Sequence, residues 1–273
     1  MMNDPQATGF PLEAVTRRGV RWDAGEVVPV EETIAAEVPV ALIYNGISHV
    51  VMLATPLDLE DFGRGFSLSE GIVHQPREVH DVEAMAVAQG IEVHLTIATE
   101  RFVELKERRR NLAGRTGCGL CGTESLSQAI RDVPRVGDGP RVDPAALHRA
   151  FEGLAKHQKL HDATGAVHAA AWATPQGEVL VAREDIGRHN ALDKLIGAMA
   201  REERDFGDGI TVITSRASSE MVQKATTVGM RVLAAISAPT ALAARLADEA
   251  NLTLAGFARK GRHVVYAHPE RFT

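Results

Sequence analysis

From residue 167 onward, short apolar runs alternate with amphipathic segments, and that alternation constrains the fold more than any other feature. Residues 167–173, 178–182, 210–214, 232–236, 252–258 and 263–267 are brief runs rich in Val, Leu, Ile and Ala, as strands are. Between them, residues 190–200, 219–228 and 240–249 carry helical spacing. Strands alternating with helices imply an α/β sandwich with a mostly parallel sheet. Aromatic residues make up only 4% of the chain, so its core must rest on aliphatic side chains.

The first half has a different pattern. Residues 38–44 and 47–53 alternate around Asn45-Gly46, a two-residue hairpin signal. Leu59, Phe62 and Phe66 fall on one helical face in a segment ending near Gly71. A second hairpin is expected across Gln89-Gly90, and a charged helix over residues 100–112. Together these read as a small α+β unit. Residues 134–140 (PRVGDGP) are turn-rich and serve as the expected linker. Asp143-Pro144 then starts a helix, with Asp as N-cap and Pro at the first helical position, running to about residue 161. The expected division is a polar lead-in over 1–24, an α+β domain over 25–137 and an α/β domain over 141–273.

The chain carries 36 acidic against 30 basic residues, a net charge of −6. That argues against a general nucleic-acid or membrane-surface binder, which relies on net positive charge. No run approaches the roughly 20 apolar residues that span a bilayer. The first 16 residues lack the apolar stretch of a signal peptide, so a cytoplasmic, thiol-reducing location is expected.

In that setting the two cysteines of the chain, Cys118 and Cys121, read as catalytic, redox-active or metal-binding. They stand in GRTGCGLCGTES (114–125), where flanking glycines leave both sulfurs approachable. Gly122 or Thr123 is placed to start a helix carrying Leu126 and Ile130, and Lys106, Arg108, Arg109, Arg110 and Arg115 lie upstream. A helix N-terminus and nearby cations lower a thiol pKa, which suits a sulfur nucleophile. Spacing alone leaves sulfur transfer, a thiol–disulfide redox pair, a zinc site and an incidental surface pair open. Zinc needs about four ligands. The H-x-E triplet that zinc deaminases use occurs once, as His268-Pro-Glu270, after the cysteines rather than before them. No metal is therefore expected.

Three strand ends lead into helices through polar residues: EDIGRHN (184–190), TSRASS (214–219) and SAPT (237–240). Ligands of open α/β sheets bind beyond the carboxyl ends of strands, where helix N-termini offer free N–H groups to anions. Arg188, His189, Ser215 and Arg216 are the candidates there, although each junction also needs its Ser, Thr or Asp merely as an N-cap. A third feature is FARKGR (257–262). Phe257 offers a stacking face, Lys260-Gly261 a turn, and Arg259, Lys260 and Arg262 concentrated charge, while Ala258 lies between them. Charge alone does not separate a phosphate-bearing ligand from a solvated hairpin tip.

Taken together, TGCGLCG (116–122), EDIGRHNALDK (184–194), TSRASS (214–219) and FARKGR (257–262) resemble the formate dehydrogenase accessory sulfurtransferases, over roughly residue 18 to the C-terminus. The resemblance implies transfer of persulfide sulfur from a cysteine desulfurase to the bis-molybdopterin guanine dinucleotide cofactor of formate dehydrogenase. It places the persulfide on Cys118, with Cys121 the second thiol of the motif, and the cofactor against Phe257, Ala258, Arg259, Lys260, Gly261 and Arg262. It further implies a homodimer and a three-layer C-terminal domain like that of the cytidine deaminases, without their zinc chemistry. A different class stays open: a non-catalytic chaperone that only binds the cofactor or the apo-enzyme.

Overall fold

The structure, a computed structural model, describes residues 10–113, 133–259 and 261–273. Cys118, Cys121, Arg115, the expected helix with Leu126 and Ile130, and Lys260 lie outside the described residues, as do the side chains of Arg109 and Arg110.

The chain opens with an antiparallel ribbon of β1 (Ala14–Asp23) and β2 (Glu26–Ala35). This corrects the expected lead-in over residues 1–24, since residues 14–23 of that stretch form a strand. The reason is physical: nearly all of both strands is exposed, so no apolar alternation marks them. Cross-strand pairs Arg18–Glu31 and Arg21–Glu32 replace it.

A four-stranded sheet follows, in the order β4-β3-β6-β5, made of β3 (Val38–Tyr44), β4 (Ile47–Ala54), β5 (Val79–Val87) and β6 (Gly90–Ile97). Asn45 and Gly46 both take positive φ, 45° and 82°, as the expected two-residue hairpin requires. The second turn falls on Ala88-Gln89, one residue earlier than the Gln89-Gly90 expectation. Helix α1 (Leu59–Ser69) buries Leu59, Phe62 and Phe66, the face its spacing marks. Helix α2 (Thr99–Ala113) buries Leu105 and ties back through Arg108, whose Nη1 donates to the Gly71 carbonyl at 3.0 Å.

Residues 134–140 are irregular but fastened down. Val136 N donates to Ala250 O at 2.9 Å, and Asn251 Nδ2 donates to Val136 O at 3.1 Å. Asp143 caps α3 (Pro144–Ala155), accepting from Ala145 N at 2.9 Å. The helix expected to reach residue 161 breaks, and α4 (Lys159–Thr164) starts anew. The restart is set from afar: the Glu184 carboxylate accepts from Leu160 N at 2.8 Å and His161 N at 2.9 Å, satisfying donors a helix start leaves open.

The second sheet has six strands in the order β12-β11-β10-β9-β7-β8. They are β7 (His168–Ala173), β8 (Val179–Asp185), β9 (Ile210–Ile213), β10 (Val232–Ala235), β11 (Thr253–Arg259) and β12 (Arg262–Ala267). Only β9–β10 and β10–β11 pair in parallel; β7–β8, β7–β9 and β11–β12 are antiparallel. This corrects the mostly parallel expectation, because the short connections after β7 and β11 can join only antiparallel neighbours. Helix α3 covers one face with Leu147, Ala150 and Leu154. The other face is covered by α5 (Arg188–Arg201), α6 (Ser219–Thr227) and α7 (Ala241–Glu249). This second half is therefore three-layered within a mixed α/β fold, and one apolar core continues through α5 and α1 into the four-stranded sheet.

Helices α1 and α5 touch backbone to backbone. A Cβ added at Gly65 would stand 1.7 Å from the Asp193 carbonyl oxygen, and one at Gly197 1.8 Å from that of Asp61. Buried charge flanks this contact. Asp61 accepts from Arg183 Nη2 at 2.7 Å and Arg201 Nε at 2.9 Å. Asp193 pairs with Lys224 Nζ at 2.9 Å and accepts from Ser69 Oγ at 2.6 Å. Asp185 and Lys194, both fully buried, pair at 2.7 Å. Thr55 N and Oγ1 donate to Asp185 at 3.0 and 2.8 Å, and Lys194 Nζ donates to Thr55 Oγ1 at 2.9 Å. Burial pulls the Lys194 pKa below the ordinary lysine value even with Asp185 beside it. For Lys224, also desolvated, the carboxylates of Asp193 and Glu70 outweigh burial and hold the pKa above that value.

Removing one member of a buried pair strands the other charge. We expect Lys194→Met to cost about 3–5 kcal/mol in urea unfolding, while the exposed Lys156→Met changes stability by less than about 0.5 kcal/mol. A Lys194→Met cost no larger than the control's would show that the Asp185 pair does not hold the two sheets together.

Candidate functional site

Strand direction assembles the candidate site. Strand β8 is antiparallel to β7, which is antiparallel to β9, so β8 runs parallel to β9, β10 and β11. The carboxyl ends of these four strands share one sheet edge, along with the start of β7 at His168 and of β12 at Arg262. Helices α5, α6 and α7 begin there. All three polar junctions and the described residues of the 257–262 hairpin thus open onto one edge.

The junctions do not contribute equally. Within 184–194, Asp185, Asn190 and Lys194 face inward. Asn190 Nδ2 donates to Asp185 Oδ1 at 2.9 Å and to the Leu53 carbonyl at 2.8 Å. These residues join the halves of the protein and present nothing to a ligand. Arg188 and His189 remain at the edge, each half-buried. Arg188 has no carboxylate within 4 Å among the described residues, and its buried Nε has no hydrogen-bond partner among them. His189 Nε2 stands 2.7 Å from Glu220 Oε2 at the start of α6. Burial, with Arg188 and Lys224 adding to it, keeps the His189 pKa below the ordinary histidine value against the pull of Glu220. His168 opposes Asp185 in the sheet and is likewise lowered, by burial, then by Arg188 and His161.

At the second junction Ser215 turns inward. It is buried, and its Oγ donates to the Arg216 carbonyl at 3.0 Å. Arg216 itself is exposed. Ser218, the N-cap of α6, has a buried Oγ without a hydrogen-bond partner among the described residues. Unmatched donors therefore gather at the mouth between α5 and α6. The sequence pointed to Arg188 and His189 there but missed His168, Ser218 and Glu220; the detectable signal for Glu220 was an acid in the first turn of a helix.

The hairpin end carries a cavity of about 360 Å³ lined by Phe257, Arg259, Arg262, His263 and Val264. Phe257 sits at a bulge between Gly256 and Arg259 with φ 53°, a left-handed conformation uncommon for an aromatic residue, and its N–H donates to the Ser237 carbonyl at 3.1 Å. Ala258 is buried beneath it, and Gly261 forms the turn. Neither Arg259 nor Arg262 has a carboxylate within 4 Å among the described residues, which leaves both free to grip an anion. His263, missed in the sequence, lines the cavity from the α3 side, 3.3 Å from His148 Nε2 through Nδ1. Burial and then His148 lower its pKa below the ordinary histidine value.

The two ends of the edge are distinct places. Strand β8 lies four strand spacings from β11, about 19 Å, and the hairpin cavity includes neither Arg188 nor Arg216. The edge can hold an extended, phosphate-bearing ligand along its length or a compact one at the hairpin. Among the described residues no group of three or more His, Cys, Asp or Glu is placed to hold a metal ion. No described helix is long and apolar enough to cross a membrane.

The chain is similar to several known proteins. The sulfur carrier protein FdhD of Cupriavidus necator is 57% identical over 251 residues, covering 92% of this chain and 87% of that protein. The protein of the same name from Bordetella bronchiseptica is 53% identical, covering 93% and 91%. That from Xanthomonas oryzae pv. oryzae is 51% identical, covering 99% and 96%. The crystal structure of a protein assigned as a formate dehydrogenase accessory protein, from Desulfotalea psychrophila, superposes with a TM-score of 0.75 at 22% identity, over 96% of this chain and 100% of that one. This last likeness bears on the fold alone. Residues 35–273 match the FdhD/NarQ family, and the chain belongs to it.

Proposed function

We propose that the protein is a sulfur carrier in the maturation of formate dehydrogenase. The observation that carries this reading is the combination of relatives named sulfur carrier at 51–57% identity with a cysteine count of two. If the chain carries sulfur on a thiol, that thiol is Cys118 or Cys121. In the proposed first step the Cys118 thiolate attacks the outer sulfur of a cysteine desulfurase persulfide. The donor's S–S bond breaks, its thiolate leaves, and a Cys118 persulfide forms with no net oxidation. The second thiol, Cys121, has the C-x-x-C spacing at which a disulfide can close.

The proposed recipient is the bis-molybdopterin guanine dinucleotide cofactor, bound as client rather than as a resident group. Its diphosphates suit the unpaired Arg259 and Arg262, a guanine suits the Phe257 face, and Arg188, His189 and Arg216 extend the edge. Under the same reading residues 141–273 correspond to the family's cytidine-deaminase-like domain. The protein works as a homodimer in the cytoplasm, and the exposed β1–β2 ribbon supports the dimer: Trp22 is 76% exposed and Val20 59%, an apolar tip that a second copy would cover.

Incubated with a cysteine desulfurase and cysteine, the protein should gain one sulfur atom, located on Cys118 by intact and peptide mass spectrometry. Cys118→Ala should lose delivery to the dehydrogenase, and Cys121→Ala less of it. Undiminished activation of the dehydrogenase by Cys118→Ala would favour the non-catalytic chaperone. Guanosine diphosphate stands in for the nucleotide end of the cofactor. In calorimetry, Arg259→Ala and Arg262→Ala should each weaken it by about tenfold to a hundredfold, the worth of one charge-assisted contact. Equal binding by all three proteins would move the nucleotide site off the hairpin. Light scattering should give twice the 29.4 kDa chain mass, and Trp22→Ser should shift it toward one; a monomeric parent protein would remove the dimer.

A further inference from the structure

A second basic cavity, of about 480 Å³, lies at the end of α5 remote from the strand-end edge, roughly 20 Å along the helix from Arg188. Arg64 from α1, Gln75 and Arg77 from the turn before β5, and Arg201 and Glu203 from the end of α5 line it over an apolar floor that includes Val79. We propose that this cavity is a separate binding site for a small molecule carrying two oxyanion groups, a diphosphate or a dicarboxylate.

Three carboxylates near these arginines are engaged elsewhere. Asp61 is engaged by Arg183 and by Arg201. Glu78, next to Arg77 in sequence, accepts from His74 N at 2.6 Å, Gln75 N at 3.0 Å and Arg101 Nε at 3.1 Å. Glu202 lies 2.7 Å from Arg204 Nε. Neither Arg64 nor Arg77 has a hydrogen-bond or ion-pair partner among the described residues, and Arg64 is half-buried. Two unmatched guanidinium groups thus face one concave space in a chain whose net charge is −6.

A guanidinium offers a planar fork of donors that matches a carboxylate or phosphate with paired hydrogen bonds. Two forks call for two oxyanion groups. The volume falls in the range of small-molecule sites, about 300–1,000 Å³. Glu203, with φ 53°, also lines the cavity and adds one carboxylate to its wall. Arg201 is already held by Asp61, so it adds field without needing to move.

The test uses the full chain carrying Arg259→Ala and Arg262→Ala, so that the hairpin cavity cannot contribute. Pyrophosphate and succinate are titrated separately by calorimetry, to tell the phosphate source from the carboxylate one. At least one of them should bind at a single site, and adding Arg64→Gln and Arg77→Gln should weaken it by about tenfold or more. The thermal midpoint without ligand should not move, because neither arginine has a partner to lose. Unchanged affinity in the added variants, or no binding of either probe at millimolar concentration, overturns the proposal. Binding by the unsubstituted chain that vanishes with Arg259→Ala and Arg262→Ala alone would also overturn it, while leaving the hairpin site standing.

Discussion

Everything else in the molecule hangs on the close, antiparallel contact of α1 with α5. Along α1, Asp61, Gly65 and Ser69 recur every four residues; along α5, Asp193, Gly197 and Arg201 do the same. The two rows meet in register. Asp61 faces Gly197 and Arg201, Gly65 faces Asp193 and Gly197, and Ser69 bonds Asp193. Glycine in a helix interior costs about 1 kcal/mol relative to alanine, and only backbone contact offsets that here. Buried ion pairs are seldom better than an apolar contact of the same volume. Their effect is registry: a slide of α1 along α5 by one turn would break the Asp61–Arg201 pair and the Ser69–Asp193 hydrogen bond together.

That registry determines where the functional edge lies. Helix α5 begins at Arg188, directly after Asp185, which is locked to Lys194 and Thr55. The four-stranded sheet is thereby fixed against the start of α5, and the end of α2, held by Arg108 to Gly71, is fixed with it. Val133, where the described chain resumes, packs on the same core. The described residues on either side of the cysteine-bearing segment, Arg108 in α2 and Val133, are thus both fastened to the body that carries the strand-end edge.

The sequence was readable where burial imposes a pattern. Strands β9 and β10 are buried at every residue and appear as unbroken apolar runs; Asn45-Gly46 announces its own turn. It was unreadable where structure depends on partners far along the chain. The break between α3 and α4 is set by Glu184, more than twenty residues away. Strand β1 is exposed on both faces and has no period to detect. Strand direction leaves no local trace, so the antiparallel β7 could not be told from its parallel neighbours. The block 184–194 stood out for two reasons mixed together. Asp185, Asn190 and Lys194 meet Leu53 and Thr55 across some 130 residues, and only Arg188 and His189 are left to face a ligand.

Charge explains why the proposed chemistry needs such an edge. A persulfide anion must approach a cofactor whose diphosphates are also anionic. At 10 Å and an effective dielectric near 20, each pair of like charges repels by about 1.7 kcal/mol. Two or three such pairs would slow the encounter by roughly two to four orders of magnitude. An acidic chain adds to that barrier unless its cations are concentrated where the phosphates sit. Arg259 and Arg262 at one end of the edge, with Arg188 and Arg216 along it, have no carboxylate partners among the described residues. Each can cancel one phosphate charge without first breaking an ion pair. The remaining acids of the chain then act in the opposite sense, since an anionic ligand is favoured at this edge and disfavoured over most of the surface.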